Sequence, residues 1–480
     1  MSSLKKNLLY NMLYQILMFV LPLITAPYVS RILGADGLGT YSYIYSISYY
    51  FGLCGMLGIA NHGNRSIALN KNDRNKISQV FSNIYTIQLT GTLIALLAYI
   101  VFAVYIFNGN KIIAYLNIIF VISYMLDISW FFFGMEQFKL TVTRNTIIKI
   151  MTVICTYIFV KNRNDLWVYT LILALGALFS QLYLWLNIRM FISYKKAIWM
   201  EVKNDLKQVF VLFIPAIAYS IYKVMDKIML GSLTTVTQVG YFDNAEKIIN
   251  IPVGLITAFG TVMMPRISTL IADNNSKQIS IYNALSFKYF TMVVCAATFG
   301  LAGISDVLAP TFFGKEFIES APLIAGLSFT LIFMTWANII RTQYLIPNKK
   351  DNPYVISTVV GAVVNLVFNI IFIPRLQAVG TLISTLLAEF LVFFIQMIYV
   401  RKDFPVLKYL KPSLMFFPIG VIMGMGVKYV GVVRGTSIST LFVQLVIGAI
   451  IYIAGTLLYL SATGDMLFMK IYHKILKKRE

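Results

Sequence analysis

Three ionisable side chains, Lys223, Asp226 and Lys227, lie inside one apolar run at i, i+3 and i+4, the spacing that places them on one face of a helix. Glu246 and Lys247 follow about twenty residues later in the next apolar run. At ~1.5 Å per residue, both groups lie at a similar depth, within roughly 12 Å of a turn near Gly231. Two amines beside one carboxylate can do either of two things. They can close a salt-bridged clamp between adjacent helices, or they can present a cationic patch to an anionic group such as a phosphate. Glu389 stands apart in Leu386-Leu387-Ala388-Glu389-Phe390. A carboxylate there needs a proton, a sodium ion or a buried donor, so ion coupling and a structural hydrogen bond are the two readings. Asp127 and Lys149 complete the mid-run charges, and Lys149 either lines an interior or snorkels to the surface. Arg31 and Asp243 fall nearer one set of helix ends and Arg65 and Arg266 nearer the other, where headgroup anchoring is the simpler role. Deep acids nearly match deep bases, so charge alone does not establish an anionic substrate.

Other chemistry has little support. The two histidines, His62 and His473, form no cluster with metal-ligand spacing, and no paired carboxylates share a loop, so neither a metal nor a catalytic residue is expected. No Walker A sequence is present, and no cofactor is expected. Gly34-Ala35-Asp36-Gly37-Leu38-Gly39 has the wrong glycine order for a dinucleotide loop and reads as a tight turn between helices. Cys54, Cys155 and Cys295 all sit in apolar blocks and read as packed thiols.

The elements that must position these charges are membrane helices. Apolar residues make up 59% of the 480 and charged residues 12%, which excludes an array of soluble domains. The apolar residues fall in fourteen blocks of roughly 20, the length that crosses a ~30 Å hydrocarbon core as a helix. They centre near Phe19, Phe51, Leu96, Ile119, Thr152, Leu175, Phe213, Gly254, Val294, Phe329, Val363, Thr385, Val421 and Gly448. The alternating strands of an outer-membrane barrel are missing. The first block, after Lys5 and Lys6, is too long for a signal peptide and reads as a retained helix. Pro22, Pro215 and Pro252 predict kinks.

An internal echo sets the architecture. Gly39 and Arg65 recur as Gly240 and Arg266 at an offset of 201, with Leu33 and Leu230 close to the same offset. The predicted fold is an all-α integral membrane protein with two parallel-repeat six-helix lobes and two C-terminal helices. The lobes span 1–192 and 209–402, joined by a linker at 193–208; helices 13 and 14 span 403–462, and a basic tail spans 463–480. Gly420-x-x-x-Gly424 in helix 13 is a close-packing motif. The net charge of +21 is concentrated on one side, in Lys195/Lys196/Lys203/Lys207, Arg401/Lys402/Lys408/Lys411 and the tail Lys474/Lys477/Lys478/Arg479. This bias places both termini in the cytoplasm and needs anionic lipid, not nucleic acid, as partner.

Several local phrases resemble a known family. Ser30-Arg31-Ile32-Leu33-Gly34 with Gly37-Leu38-Gly39-Thr40-Tyr41, Asp127-Ile128-Ser129-Trp130-Phe131-Phe132-Phe133-Gly134, and Asp226-Lys227-Ile228-Met229-Leu230-Gly231 with Val239-Gly240-Tyr241-Phe242-Asp243-Asn244 are similar to bacterial polysaccharide repeat-unit flippases. Thr342-Gln343-Tyr344-Leu345-Ile346-Pro347 and Gly361-Ala362-Val363-Val364-Asn365 extend the match along the chain. These are Wzx-type members of the multidrug/oligosaccharidyl-lipid/polysaccharide exporter superfamily. Phe133 departs from their pattern, where an acidic or amide residue is usual, and receives no role.

The resemblance implies a flippase of undecaprenyl-diphosphate-linked oligosaccharide for O-antigen or capsule. It would sit in the bacterial cytoplasmic membrane, work by proton- or sodium-coupled alternating access, and be a candidate partner of the polysaccharide polymerase machinery. On it, Lys223, Lys227 and Lys247 are the candidate diphosphate ligands, with Arg31 and Lys149 contributing; Trp130 and neighbouring tyrosines are candidates for sugar stacking, with lobe packing the alternative for Trp130. Glu389, Asp127 and Asp226 are the ion-coupling candidates. A drug antiporter of the same superfamily, a lipid II flippase and a non-transporting scaffold are the alternatives.

Overall fold

A computed structural model of the protein describes residues 2–465, 468 and 469, with side chains for these except 2–20, 214–216, 218, 219, 222 and 223. The tail lysines, His473, and the side chains of Lys223 and Pro215 therefore lie outside the described residues. No strand occurs among the described residues. Eleven helical spans there are long and apolar enough to cross a membrane, and a bent pair, Leu21–Met56 with Ile59–Asn70, makes up to twelve. The expected count of fourteen is not reached. Two of its blocks centre on Phe19 and Phe213, within or beside stretches whose side chains are not described.

The chain divides into two compact units, Met1–Asp243 and Asn244–Glu480. The first contains α1 (Ser2–Met56), α2 (Ile59–Asn70), α3 (Arg74–Val101), α4 (Lys111–Met125), α5 (Ser129–Gly134), α6 (Phe138–Phe159), α7 (Leu166–Ile188), α8 (Trp199–Leu233) and the opening turns of α9 (Val236–Ala272). α1 is two helical arms broken at one residue, Gly34, whose φ of 70° favours glycine. The predicted turn thus shrinks to a single residue, and the helical run breaks there, not at Pro22. α9 likewise continues through Pro252. Asp73 and Asn110 start α3 and α4 by accepting hydrogen bonds from backbone N–H groups that have no helical partner.

Between α4 and α5 the helix is interrupted, and a broken backbone at membrane depth must be satisfied by protein. Gln88 of α3 does this, donating from Nε2 to the carbonyls of Tyr124, Met125 and Asp127 at 3.0, 3.3 and 2.8 Å. Its Oε1 accepts Trp130 Nε1 at 2.9 Å. Trp130 then packs into a core with Phe81, Phe131, Phe132, Ile59 and Ile67.

The 193–208 segment is bonded to α2 and α3. Ser193 N donates to Ser78 Oγ at 3.0 Å, and Ile198 N donates to Asn83 Oδ1 at 2.9 Å. Gln79 Nε2 donates to the Lys196 carbonyl at 2.9 Å, and Asn83 Nδ2 to Glu201 at 2.6 Å. His62 Nε2 lies 2.9 Å from Asp205.

The second unit holds the rest of α9, then α10 (Ser276–Phe313), α11 (Ser320–Ser328), α12 (Thr330–Ile340), α13 (Asp351–Leu376), α14 (Ala378–Val400), α15 (Val406–Leu410), α16 (Phe416–Arg434) and α17 (Ile438–Ala462). The Gly420/Gly424 motif is used within the chain. A Cβ on Gly420 would meet the Phe299 ring at 2.3 Å, and one on Gly303 would meet the Gly424 carbonyl at 2.7 Å. Small residues let α16 and α10 approach backbone to backbone, where dispersion can act without a hydrophobic drive. Asp465, just past α17, ties back to α10 through Lys288 Nζ at 2.5 Å and Tyr289 Oη at 2.6 Å. Burial pushes the Asp465 carboxyl up, but hydrogen bonds from Lys288, Tyr289 and Phe468 N outweigh it and hold the group down at about 2.

Candidate functional site

Within the first unit, the repeated glycines meet each other. A Cβ on Gly39 would stand 1.7 Å from the Val236 carbonyl oxygen, and one on Gly240 would stand 2.1 Å from the Ala35 carbonyl oxygen. Ala35 and Val236, like Gly39 and Gly240, are 201 residues apart, so the two contacts are equivalents under the repeat. Asp36 and Thr237, joined at 3.4 Å, and Ser42 and Asp243, joined at 2.9 Å, carry the same offset and face their own counterparts. The second arm of α1 and the first turns of α9 therefore cross with local pseudo-twofold symmetry. Only glycine permits that backbone approach.

One turn beyond the crossing, Lys227 Nζ lies 2.6 Å from Asp243 Oδ1, the same oxygen that accepts Ser42 Oγ. The lysine of α8 is thus clamped to α9, as the first of the two readings expects. Its partner is Asp243, which sequence spacing placed apart at the helix end. Asp243 is 8% exposed and Asp226 5%, so both carboxylates are removed from bulk solvent, where an ion pair gains strength but leaving one partner alone is costly. Asp226 lies on α8 within electrostatic range of Tyr50.

The remaining candidates are dispersed. Lys247 belongs to the second unit and donates to Asn244 Oδ1 at 3.1 Å. Arg31 is exposed near the end of the first arm of α1, and Lys149 is half-buried midway along α6. Asp127 accepts Ser129 N at 2.9 Å, so its carboxylate starts α5 at the break after α4. Trp130 is 2% exposed, stacks on Phe81 at a centroid distance of 5.6 Å, and is covered on another side by Gly63. The packing reading describes Trp130, and a sugar ring has no access to it.

Glu389 is 5% exposed on α14. Gln396 Nε2 donates to Ser357 Oγ at 3.0 Å, and Gly380 abuts Ile373, which fixes the antiparallel register of α13 and α14. That register sets Asn365 opposite Ala388, beside Glu389, within a spine of buried Asn365, Asn369, Thr381 and Ser384.

The family model described as polysaccharide biosynthesis protein matches residues 4–271. The chain belongs to this family. A putative O-antigen transporter of Shigella dysenteriae is 26% identical over 404 residues, covering 81% of this chain and 98% of that protein. A putative O-antigen transporter of Escherichia coli K12 is 21% identical over 406 residues, covering 84% and 97%. The solved structure of the lipid II flippase MurJ in an inward closed conformation superposes with a TM-score of 0.74 at 17% identity, covering 95% of this chain and 99% of that one. That likeness shows the fold.

Three features of the chain escaped sequence reasoning. Arg144, which sequence reasoning did not single out, is 5% exposed in α6 and donates to Asn145 Oδ1, Ser129 Oγ, the Ser180 carbonyl and Gln181 Oε1. The Ser42–Asp243–Lys227 contact joins residues from three helices, and no local spacing reveals it. Tyr41, Tyr45 and Tyr49 do carry a readable signal, an i, i+4, i+8 stripe on one helix face.

Proposed function

We propose that the protein flips undecaprenyl-diphosphate-linked oligosaccharide repeat units across the bacterial cytoplasmic membrane, for O-antigen or capsule assembly, by ion-coupled alternating access of two six-helix lobes, 1–192 and 209–402. The relatives named as O-antigen transporters support transport and not catalysis. The observation that carries the reading is a half-buried lysine, Lys227, held in a pair whose carboxylate also touches a third helix. An ionisable group within a membrane helix costs ~2.5–3.5 kcal/mol on insertion scales, and a diphosphate offers it a stronger partner than one carboxylate. Lys223, Lys227 and Lys247 bind the diphosphate, with Arg31 and Lys149 contributing along its route. Glu389, Asp127 and Asp226 are the positions for a coupling proton or sodium ion, Glu389 foremost because it is buried on a helix pair that also buries Asn365, Asn369, Thr381 and Ser384. The termini face the cytoplasm, basic loops contact anionic lipid, and the product passes to the polymerase machinery. Helices at 403–462 and the tail at 463–480 complete the chain.

Charge reversal tests this. Lys223→Glu, Lys227→Glu and Lys247→Glu, each stably expressed, should abolish surface polysaccharide in a host lacking the wild-type chain. Intact polysaccharide in all three would remove the diphosphate assignment. A change in drug sensitivity with polysaccharide intact would favour a drug antiporter.

A further inference from the structure

The first unit contains an unbroken chain of aromatic rings along the second arm of α1. Tyr169 of α7 meets Tyr41 at 5.1 Å between centroids, and Tyr41 stacks on Tyr45 at 5.6 Å. Tyr45 meets Phe120 of α4 at 4.6 Å, Phe120 meets Tyr124 at 5.4 Å, and Tyr124 returns to Tyr49 at 6.4 Å. We propose that this face, Tyr41, Tyr45 and Tyr49 with Phe120, Tyr124 and Tyr169, is a stacking track for the sugar rings of the transported saccharide.

Two observations set this face apart, although Tyr124 also packs against the Trp130 core. The central core rings of the same unit are sealed: Phe81 is 5% exposed, Trp130 2%, and Phe131 and Phe132 0%. All six rings of the track keep part of their surface. That surface does not face lipid, because α4 and α7 flank the stripe on one side while Lys227 of α8 and Asp243 lie within electrostatic range of Tyr45 and Tyr41 on the other. The face is flanked by helices and keeps part of its surface. Second, two of the hydroxyls are unspent. Tyr28 and Tyr99 donate to backbone carbonyls at 2.8 and 2.9 Å, whereas the hydroxyls of Tyr41 and Tyr45 have no hydrogen-bond partner among the described residues. A phenol kept at a membrane interior without a protein partner is available to a ligand that brings its own hydroxyls.

A hexose supplies both complements, an apolar C–H face for the ring and hydroxyls for the phenol. From Tyr41 to Tyr49 the stripe runs about 12 Å along the helix, room for more than one sugar. It begins one residue from Ser42 in the Lys227–Asp243 cluster, so a diphosphate at Lys227 would place its attached sugars on the track. The proposal rests on the flippase reading and adds the subsite that recognises the saccharide.

The test uses the full chain in lipid nanodiscs and two probes, undecaprenyl diphosphate and the lipid-linked oligosaccharide purified from the protein's own host. Wild type should prefer the glycosylated lipid by about tenfold, as a few aromatic contacts of ordinary strength would provide. Replacing Tyr41, Tyr45 and Tyr49 together by Leu should erase the preference while leaving undecaprenyl diphosphate affinity unchanged; the triple Phe variant, which keeps the rings, should retain most of it. A preference that survives the Leu replacements, or is missing in wild type, overturns the track and leaves the diphosphate reading standing. Wild type binding neither lipid sinks the flippase reading and the track with it. Should the triple Leu variant bind nothing, the single Tyr45→Leu variant decides: a two- to threefold loss of preference is expected, and no loss overturns the proposal.

Discussion

Adding one methyl group at Gly39 or Gly240 should force the α1–α9 crossing apart. The new Cβ of Gly39→Ala would begin 1.7 Å from the Val236 carbonyl oxygen, and that of Gly240→Ala 2.1 Å from the Ala35 oxygen. Both obstacles are backbone, so no side chain can rotate away. Reaching a tolerable contact of about 3 Å requires the helices to separate by about 1 Å. A shift of that size takes the Ser42–Asp243 hydrogen bond, 2.9 Å in the closed crossing, beyond the ~3.5 Å at which such bonds cease to count. Overpacking costs about 1–3 kcal/mol and a charged hydrogen bond about 1.5–3. If the crossing closes one side of a two-state transporter, a penalty near ~3 kcal/mol lowers the closed population roughly a hundredfold. The assay is labelling of a reporter thiol, Ser46→Cys, in a background lacking Cys54, Cys155 and Cys295. Ser46 is 2% exposed one turn inside the crossing, so wild type should react slowly with a membrane-impermeant maleimide added outside. Either alanine variant should label at least about tenfold faster, since only a small fraction of the population shift need reach the reporter. Gly300→Ala is the control, because its Cβ meets nothing closer than Met423 at 3.7 Å. Unchanged labelling in a folded Gly39→Ala/Gly240→Ala protein would show that the glycine crossing closes nothing.

Three further outcomes follow from the same geometry. Exchanging the charges, Lys227→Asp with Asp243→Lys, rebuilds the ion pair on opposite helices; thermal stability should recover relative to either single variant, while polysaccharide export should not, and recovery of export would reduce Lys227 to a clamp. Asp465→Asn should destabilise the protein by about 1–3 kcal/mol at pH 7. The folded carboxyl titrates at about 2, below its ordinary 3.8, so this stabilisation is present above pH ~4 and is lost as pH falls through about 2. Melting curves of wild type and variant in detergent should therefore converge over that window; a constant gap would refute the assignment. Gly303→Leu should separate α16 from α10 by filling the space against the Gly424 carbonyl, seen as a lower melting temperature of about the cost of overpacking, ~1–3 kcal/mol.

How much of this was legible beforehand depends on whether a property is local. Helical spans follow from apolar blocks, because a backbone in lipid must satisfy itself within its own segment. The offset of 201 and the glycines at its two copies are also present in the chain as written. Membership of the polysaccharide family follows from phrases such as Asp226–Gly231 and Val239–Asn244, which are likewise contiguous. The charges inside apolar runs were legible too, and among them Lys227, Asp226 and Glu389 are buried or half-buried.

Partners were not legible, because a pair of helices has a register that no single helix encodes. Lys227 meets Asp243, where the glycine crossing draws α9 onto α1 and brings Ser42 to the same carboxylate oxygen. For Trp130 the sequence left sugar stacking and packing open, and Gln88 and Phe81 enclose it at the α4–α5 break. Gly420 and Gly424 announced close packing, but only the fold decided that α10 of the same chain fills the role. Thus the amino-acid sequence by itself determined that the protein is helical, membrane-embedded, internally repeated and charged at depth, all properties of one segment at a time. Tertiary structure alone decided which charge meets which, and which aromatic faces are sealed or left open, because those depend on contacts between residues far apart in the chain.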